Sequence, residues 1–199
     1  MTNPIRFIAI QSVNFSNANK SVFLRMDGSN VTQYQGAGSG TVNCQFYEPG
    51  TVPVPEIGNL EAFELIPIPT QPPVLIGAGA CAIRSVTSPN VFLRIDGSGV
   101  TASQGAGVGT VNCQYYSPGT LPNSRADFEV MAVATRGTPF DMITSIESVP
   151  FEQVFLRMDG STVNGFSAGG SGTVNGQFYP PQQGPGDPTD YEALKIIYL

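Results

Sequence analysis

Three polar triplets, each an asparagine, a glutamine and a tyrosine two positions apart, are the side chains best suited to chemistry in this 199-residue chain. Amides supply donors and acceptors that match neighbouring sugar hydroxyls, and a phenol ring stacks on the C–H face of a pyranose. The triplets therefore predict carbohydrate contacts, and bracing of a nearby loop is the alternative that the residue types leave open. They are Asn43, Gln45 and Tyr47; Asn112, Gln114 and Tyr116; and Asn175, Gln177 and Tyr179.

An aspartate before a Gly-Ser turn also recurs three times and is a second candidate for ligand contact. Because Asp and Gly both form turns readily, turn formation is the favoured alternative for these carboxylates. An arginine stands two positions before each aspartate, and we expect it to brace the fold by pairing with a carboxylate or a backbone carbonyl. The aspartates are Asp27, Asp96 and Asp159, and the arginines are Arg25, Arg94 and Arg157.

The residue types that most catalytic and metal sites need are scarce. The sequence has no histidine, which excludes Ser-His-Asp and Cys-His catalysis and histidine-ligated metals. Cys44 and Cys113 occupy equivalent repeat positions, Gly176 stands in the third, and no cysteine pair has metal-ligand spacing. We therefore expect reduced, buried thiols, no metal, no cofactor and no enzymatic activity.

The candidate residues lie within a repeat that occurs three times. The octet at 22–29 returns at 91–98 and 154–161, with Ile95 for Met26 as the only change. A glycine-rich segment and a second signature follow at 36–47, 105–116 and 168–179. Each repeat is predicted to close with an aromatic residue and a glutamate: Phe63-Glu64, Phe128-Glu129 and Tyr191-Glu192.

Alternation of apolar and polar residues predicts strands in both signatures, and the abundance of Gly and Pro favours turns over helices. Each repeat then offers four strands, so we predict about twelve strands in an all-β fold. Threefold repetition favours a closed pseudo-threefold arrangement, with a propeller as the competitor. The single domain would comprise repeats at approximately 6–70, 71–138 and 139–199.

Two family resemblances point to the same fold. Residues 155–165, Phe-Leu-Arg-Met-Asp-Gly-Ser-Thr-Val-Asn-Gly, resemble the strand–turn–strand signature of fibroblast growth factors. The whole repeat is more similar to the fascin-type β-trefoil repeat, in which Leu-Arg, a glycine-rich turn and Thr-Val-x-Asn follow one another. These resemblances imply a β-trefoil. The chain has no Trp, so the Gln-x-Trp sugar site of ricin-type lectins does not carry over.

Charge and composition narrow the class of partner. The net charge is −6, and the nine basic residues are scattered, which argues against nucleic acid and against an anionic membrane surface. No apolar run reaches transmembrane length and no signal peptide is visible, so we expect a cytoplasmic protein without membrane insertion. Release from the cell stays open as an alternative.

Three functions remain as hypotheses. The first is a lectin-like protein with up to three equivalent weak sites for glycans or glycoproteins, where three copies would raise avidity. The second is a fascin-like structural or protein-interaction module. The third is an inhibitor or toxin component that acts through its Pro/Gly-rich loops at 53–55, 118–125 and 180–188.

Overall fold

A computed structural model describes residues 7–68, 79–136 and 142–199, and these residues form twelve strands and no helix. The predicted repeat boundaries near 70 and 138 lie outside the described residues. The strands are β1 (Phe7–Ser12), β2 (Ser21–Asp27), β3 (Thr41–Tyr47), β4 (Phe63–Pro67), β5 (Ala80–Ser85), β6 (Val91–Asp96), β7 (Gly109–Tyr115), β8 (Met131–Arg136), β9 (Ile143–Ser148), β10 (Val154–Asp159), β11 (Thr173–Phe178) and β12 (Leu194–Tyr198).

The octets form β2, β6 and β10, and these strands are buried on both faces. In β2, Val22, Leu24 and Met26 enter the main core, as the alternation predicts. Phe23 and Arg25 on the other face are also buried: the Phe23 ring meets Tyr47 edge-on, and Arg25 donates to the Ala168 carbonyl of another loop. Burying an aliphatic side chain of this size stabilises the fold by about 1.5–3 kcal/mol, so each octet contributes strongly to the core.

Antiparallel pairing joins the strands into a closed barrel. Nine strands form a ring in the order β10-β11-β7-β6-β5-β4-β1-β12-β9, which returns to β10. The other three strands attach to it: the β2–β3 hairpin through β1, and β8 between β5 and β9. Closure leaves few exposed strand edges, which limits pairing with other chains.

The prediction of an all-β protein with about twelve strands is confirmed, and the more specific family assignment is wrong. The strands form a nine-strand barrel with three additional strands, and this pairing does not confirm a β-trefoil of the fascin or fibroblast-growth-factor type. The physical reason is that a Leu-Arg strand, an Asp-Gly turn and a glycine-rich loop are hairpin requirements. Any antiparallel barrel can use them, so they do not specify one family.

All three repeats contribute to one apolar cluster. It includes the octet residues, the inward-facing valines of β3, β7 and β11, and the inward residues of the first strand of each repeat. Cys44, Cys81 and Cys113 are buried free thiols, which confirms that prediction, and burial raises the pKa of each to about 12. These thiols are therefore packing groups that stay protonated at neutral pH.

Candidate functional site

The glutamine of each polar triplet clamps a loop that belongs to another repeat. Gln114 on β7 donates from Nε2 to the carbonyl of Gln35, and its Oε1 accepts from the Gln35 amide at 2.9 Å. Gln45 holds Ser167 in the same two-sided way, and Gln177 holds Gln104. We call each of these pairs a glutamine clamp, and it satisfies both backbone groups of the residue that it holds.

The asparagine and the arginine of each repeat hold the next carbonyls of the same loop. Asn112 Nδ2 donates to Ala37 at 2.7 Å and Arg94 Nη2 donates to Gly36 at 3.1 Å. The equivalent bonds run from Asn43 and Arg25 to Gly169 and Ala168, and from Asn175 and Arg157 to Ala106 and Gly105. Each loop therefore has three successive carbonyls bound by side chains.

These contacts follow a cyclic order among the three long hairpin loops, at 28–40, 97–108 and 160–172. The loop of repeat 1 is held by repeat 2, that of repeat 2 by repeat 3, and that of repeat 3 by repeat 1. The order closes on itself, so every repeat both holds a loop and has its own loop held. We call this set of side chains the clamp layer.

Glycine is required where the asparagines meet the loops. Gly38 has φ +71° and lies so close to the Asn112 amide that an added Cβ would overlap it. Gly107 faces Asn175 and Gly170 faces Asn43 in the same way. Among the described residues, the Oδ1 atom of each of these asparagines is buried without a hydrogen-bond partner. The close backbone approach explains why the glycine-rich loop recurs in all three copies.

Behind the clamp layer, each arginine meets a buried glutamate. Arg94 Nε lies 3.7 Å from Glu129 Oε1, and the Tyr116 hydroxyl donates to Glu129 Oε2 at 2.8 Å. Equivalent ion pairs join Arg25 to Glu61 and Arg157 to Glu192. Burial raises the pKa of all three glutamates against the opposing effect of the arginine and the tyrosine. The predicted bracing role of the arginines is confirmed.

The predicted closing motif of repeat 1, Phe63-Glu64, is wrong. The structural equivalents of Phe128-Glu129 and Tyr191-Glu192 are Leu60-Glu61, because the carbonyls of Leu60, Phe128 and Tyr191 accept the same bond from the octet strand. The arginine lies over the Phe128 ring in repeat 2 and over the Tyr191 ring in repeat 3. Glu64 instead pairs with Arg84.

The triplets brace loops, which is the alternative that their residue types left open, and they do not project freely into solvent. Gln45, Gln114 and Gln177 are buried, and the tyrosines are half-buried with their rings edge-on to Phe23, Phe92 and Phe155. The hydroxyls of Tyr47, Tyr116 and Tyr179 donate to the buried glutamates. In this arrangement the amides hold loops and the phenols hold the buried glutamates.

The three aspartates are partly exposed and cap their turns. Asp27 accepts from the Ser29 hydroxyl at 2.7 Å and from the Ser29 amide at 3.1 Å, and it pairs with Arg25. The Ser29 hydroxyl bond is the main reason that the pKa of Asp27 is lowered, with burial opposing it. For Asp96 and Asp159, burial raises the pKa, but bonds from Ser98, Ser161 and the arginines together lower it.

Two exposed aromatic rings at the tips of the held loops were missed from the sequence. Tyr34 is 64% exposed and Phe166 is 76% exposed, and each directly precedes the residue held by a glutamine clamp. Ser103 occupies the same place in repeat 2, since all three follow the turn aspartate by seven positions. An aromatic residue at matched spacing inside a Gly/Ser-rich loop was the signal that could have identified them.

Grooves lie between the Asp-Gly-Ser turn of one repeat and the first loop of the next. The 1–2 groove, about 300 Å³, contains Ser29 and Thr32 opposite Ser88, Asn90 and Tyr115. The 2–3 groove, about 800 Å³, lies beside Phe128 and Phe151. Between repeats 3 and 1, the Lys20 ammonium donates to the carbonyls of Gly160 and Val163. The Lys20 side chain therefore occupies the position that is a groove at the other two junctions.

No known protein family and no curated protein matches this chain. Within residues 7–68, 79–136 and 142–199 there is no cluster of three or more metal-ligating side chains. The same stretches contain no helix of the length and apolarity that crossing a bilayer requires.

Proposed function

We propose that this is a non-enzymatic carbohydrate-binding protein whose contact rings are Tyr34 and Phe166. The observation that carries the proposal is the exposure of these two rings at matched positions on loops whose backbone is fixed by buried side chains. The triplets would then act indirectly: they do not contact the ligand, but they fix the loops that carry the two rings. This keeps the lectin hypothesis and moves the proposed contacts to different residues.

A fixed aromatic ring in water suits a sugar ligand. The ring stacks on pyranose C–H groups, and a loop that is already ordered loses little conformational entropy when the ligand binds. Tyr34 is positioned further by an edge-on contact with Tyr116 at 5.9 Å between ring centres. A flexible loop would lose more entropy on binding, so the clamp layer supports affinity as well as stability.

Polar groups suited to sugar hydroxyls lie close to Tyr34. Thr32, two positions earlier, lines the 1–2 groove opposite Ser88 and Asn90. The Asn90 carbonyl accepts a hydrogen bond from the backbone amide of Tyr116, and the Tyr116 ring contacts the Tyr34 ring. The 1–2 groove therefore lies next to the Tyr34 ring. Hydroxyls and an amide in a groove without charged side chains match a neutral polyhydroxylated ligand better than an ionic one.

Two rings on one rigid protein raise its avidity for a surface that carries many glycans, even where each single site binds weakly. One shallow sugar site has a dissociation constant of order 1 mM, about −4 kcal/mol. Two sites on a multivalent glycan surface raise the avidity by roughly 10²–10⁴ where the spacing matches. The proposal takes the repeats to be arranged about a pseudo-threefold axis, which the cyclic order of the clamp layer supports.

A glycan array with matched variants tests the proposal. We expect wild-type protein to bind at least one glycan, Tyr34→Ala/Phe166→Ala to lose that binding, and Ser103→Ala to keep it. All three proteins should unfold at similar temperatures, because the changed side chains are exposed. A folded wild type that binds no glycan, or a double variant that binds as well as wild type, would refute the proposal.

A second function is favoured by one exposed apolar segment. Val52, Val54 and Ile57, on the loop between β3 and β4, are all exposed, and Ile57 is 85% exposed. Exposed apolar side chains close together in a loop are typical of protein contacts, which fits the loop-mediated inhibitor hypothesis. If Ile57→Ser abolishes binding to a glycoprotein while free glycan still binds, the loop and not the rings recognises the partner.

A further inference from the structure

One cross-strand position differs among the three junctions between repeats. Where the first strand of a repeat meets the last strand of the preceding one, Arg84 faces Glu64 and Gln11 faces Lys195. At the third junction Glu147 faces Ala132. Arg84 and Glu64 form an ion pair. Glu147 takes part in no ion pair of the described residues.

The small alanine leaves a cavity beside the Glu147 carboxylate. Its volume is about 140 Å³, and its lining includes Ala132, Glu147, Val149 and Gln153. One carboxylate oxygen, Oε1, accepts from the Gln153 amide at 2.7 Å. Gln153 has φ +69°, a left-handed conformation that a residue other than glycine adopts at a cost. A strained residue therefore fixes the carboxylate at the cavity wall.

Charges of both signs surround the opening of this cavity. Arg125, from the loop between β7 and β8, and Glu152, from the turn before β10, also line it, and both are exposed. Burial raises the pKa of Glu147, helped by the neighbouring negative charge of Glu152 and opposed by the Gln153 amide and the more distant Arg136. A bound cation would relieve this unfavourable burial of a carboxylate.

We propose that this cavity binds a short aliphatic amine that carries an acidic end group. The ammonium enters the cavity and pairs with Glu147, the alkyl chain lies against Val149 and Ala132, and the acidic group reaches Arg125 at the opening. The site lies apart from the Tyr34 and Phe166 rings and does not depend on the proposed sugar binding. The Glu147 carboxylate and the exposed Arg125 guanidinium in the cavity lining determine the ligand class.

Three small probes test the site by titration, with the Gln153 amide as the NMR reporter. We expect 4-aminobutanoate to bind and shift this amide, n-butylamine to bind more weakly, and butanoate not to bind. Arg125→Gln should remove the difference between the first two probes. Equal binding of butanoate and 4-aminobutanoate, or no shift with either amine, would overturn the proposal.

Variants at the cavity separate binding from folding. Glu147→Gln keeps an acceptor for the Gln153 amide and should weaken 4-aminobutanoate binding about tenfold or more, because a charged hydrogen bond is lost. Glu152→Gln, at the exposed opening, is the matched control and should change binding less than about threefold. Ala132→Lys should fill the cavity with its own ammonium, block the probe and raise the unfolding temperature. Binding that survives either Glu147→Gln or Ala132→Lys would contradict the site.

Discussion

The clamp layer and the loop tips that it holds follow opposite rules. In the clamp layer, Arg, Asn and Gln occupy the same places in all three repeats and make the same bonds, as do the Tyr and Glu behind it. At the loop tips the repeats differ, with Tyr34, Ser103 and Phe166 at equivalent positions. Identity among the repeats therefore follows what the fold requires, and the proposed binding residues lie where the repeats diverge.

The largest effect should come from a central arginine of the clamp layer. Arg94→Ala would leave Glu129 buried without its cation and Gly36 without a donor, so we expect a loss of about 3–5 kcal/mol in the free energy of unfolding. Denaturant unfolding measures it. Arg125→Ala, an exposed arginine, should change stability by less than about 0.5 kcal/mol. If the two variants lost equal stability, the clamp layer would not contribute more to folding than the exposed surface does.

A glutamine clamp should have the next largest effect, and two variants distinguish structure from function. Gln114→Ala and Gln177→Ala each leave the held backbone amide without a partner and remove one of the two bonds to the held carbonyl, at about 2–3 kcal/mol. Both should speed hydrogen exchange at the amide that was held, Gln35 or Gln104. Only Gln114→Ala should also weaken glycan binding, because its loop carries Tyr34 and the other carries Ser103. Equal losses of binding would show that the loop tips are not the contacts.

A smaller effect should come from the glycines that meet the asparagines. Gly38→Ala introduces both a strained φ and an overlap with Asn112, whereas Gly50→Ala introduces only the strained φ, since nothing lies near its added Cβ. We expect a loss of roughly 1–2 kcal/mol for Gly50→Ala and a larger one for Gly38→Ala. Thermal unfolding of the two variants gives the comparison. If they are equally stable, the close approach is not a constraint.

The smallest effect concerns pH. The pKa of Asp27, Asp96 and Asp159 is lowered in the folded protein, so these groups contribute stability that is present above their unfolded pKa and is lost as the pH falls through the folded value. The buried glutamates have the opposite sign, because their pKa is raised. The triple Asp→Asn variant should therefore lose less stability than wild type between about pH 6 and pH 2.5. Urea midpoints at the two pH values measure this, and an unchanged acid sensitivity would contradict it.

The fold class could be predicted from the sequence because period-two alternation and turn residues are local signals. Val22, Leu24 and Met26 needed only their spacing to be placed inside. Loop bracing by Gln45, Gln114 and Gln177 was an alternative that the sequence left open, but the loops that they hold could not be predicted, because each belongs to another repeat, 122, 79 or 73 positions away. The sequence did not indicate Glu61, because Leu60 precedes it where an aromatic residue precedes Glu129 and Glu192. The repeat pattern did not indicate Tyr34 and Phe166, because repeat 2 has Ser103 at the equivalent position.

In the proposed function, the loop tips bind glycan and the clamp layer only supports the loops. Counting the glycan-binding sites per chain is the most direct test of this assignment. Ser103→Tyr places a ring on the third held loop without changing any side chain of the clamp layer. We predict that titration with the best-bound glycan gives two sites per chain for wild type and three for Ser103→Tyr, with unchanged unfolding temperature. A stoichiometry that stays the same in a folded Ser103→Tyr protein would contradict the assignment of binding to the loop tips.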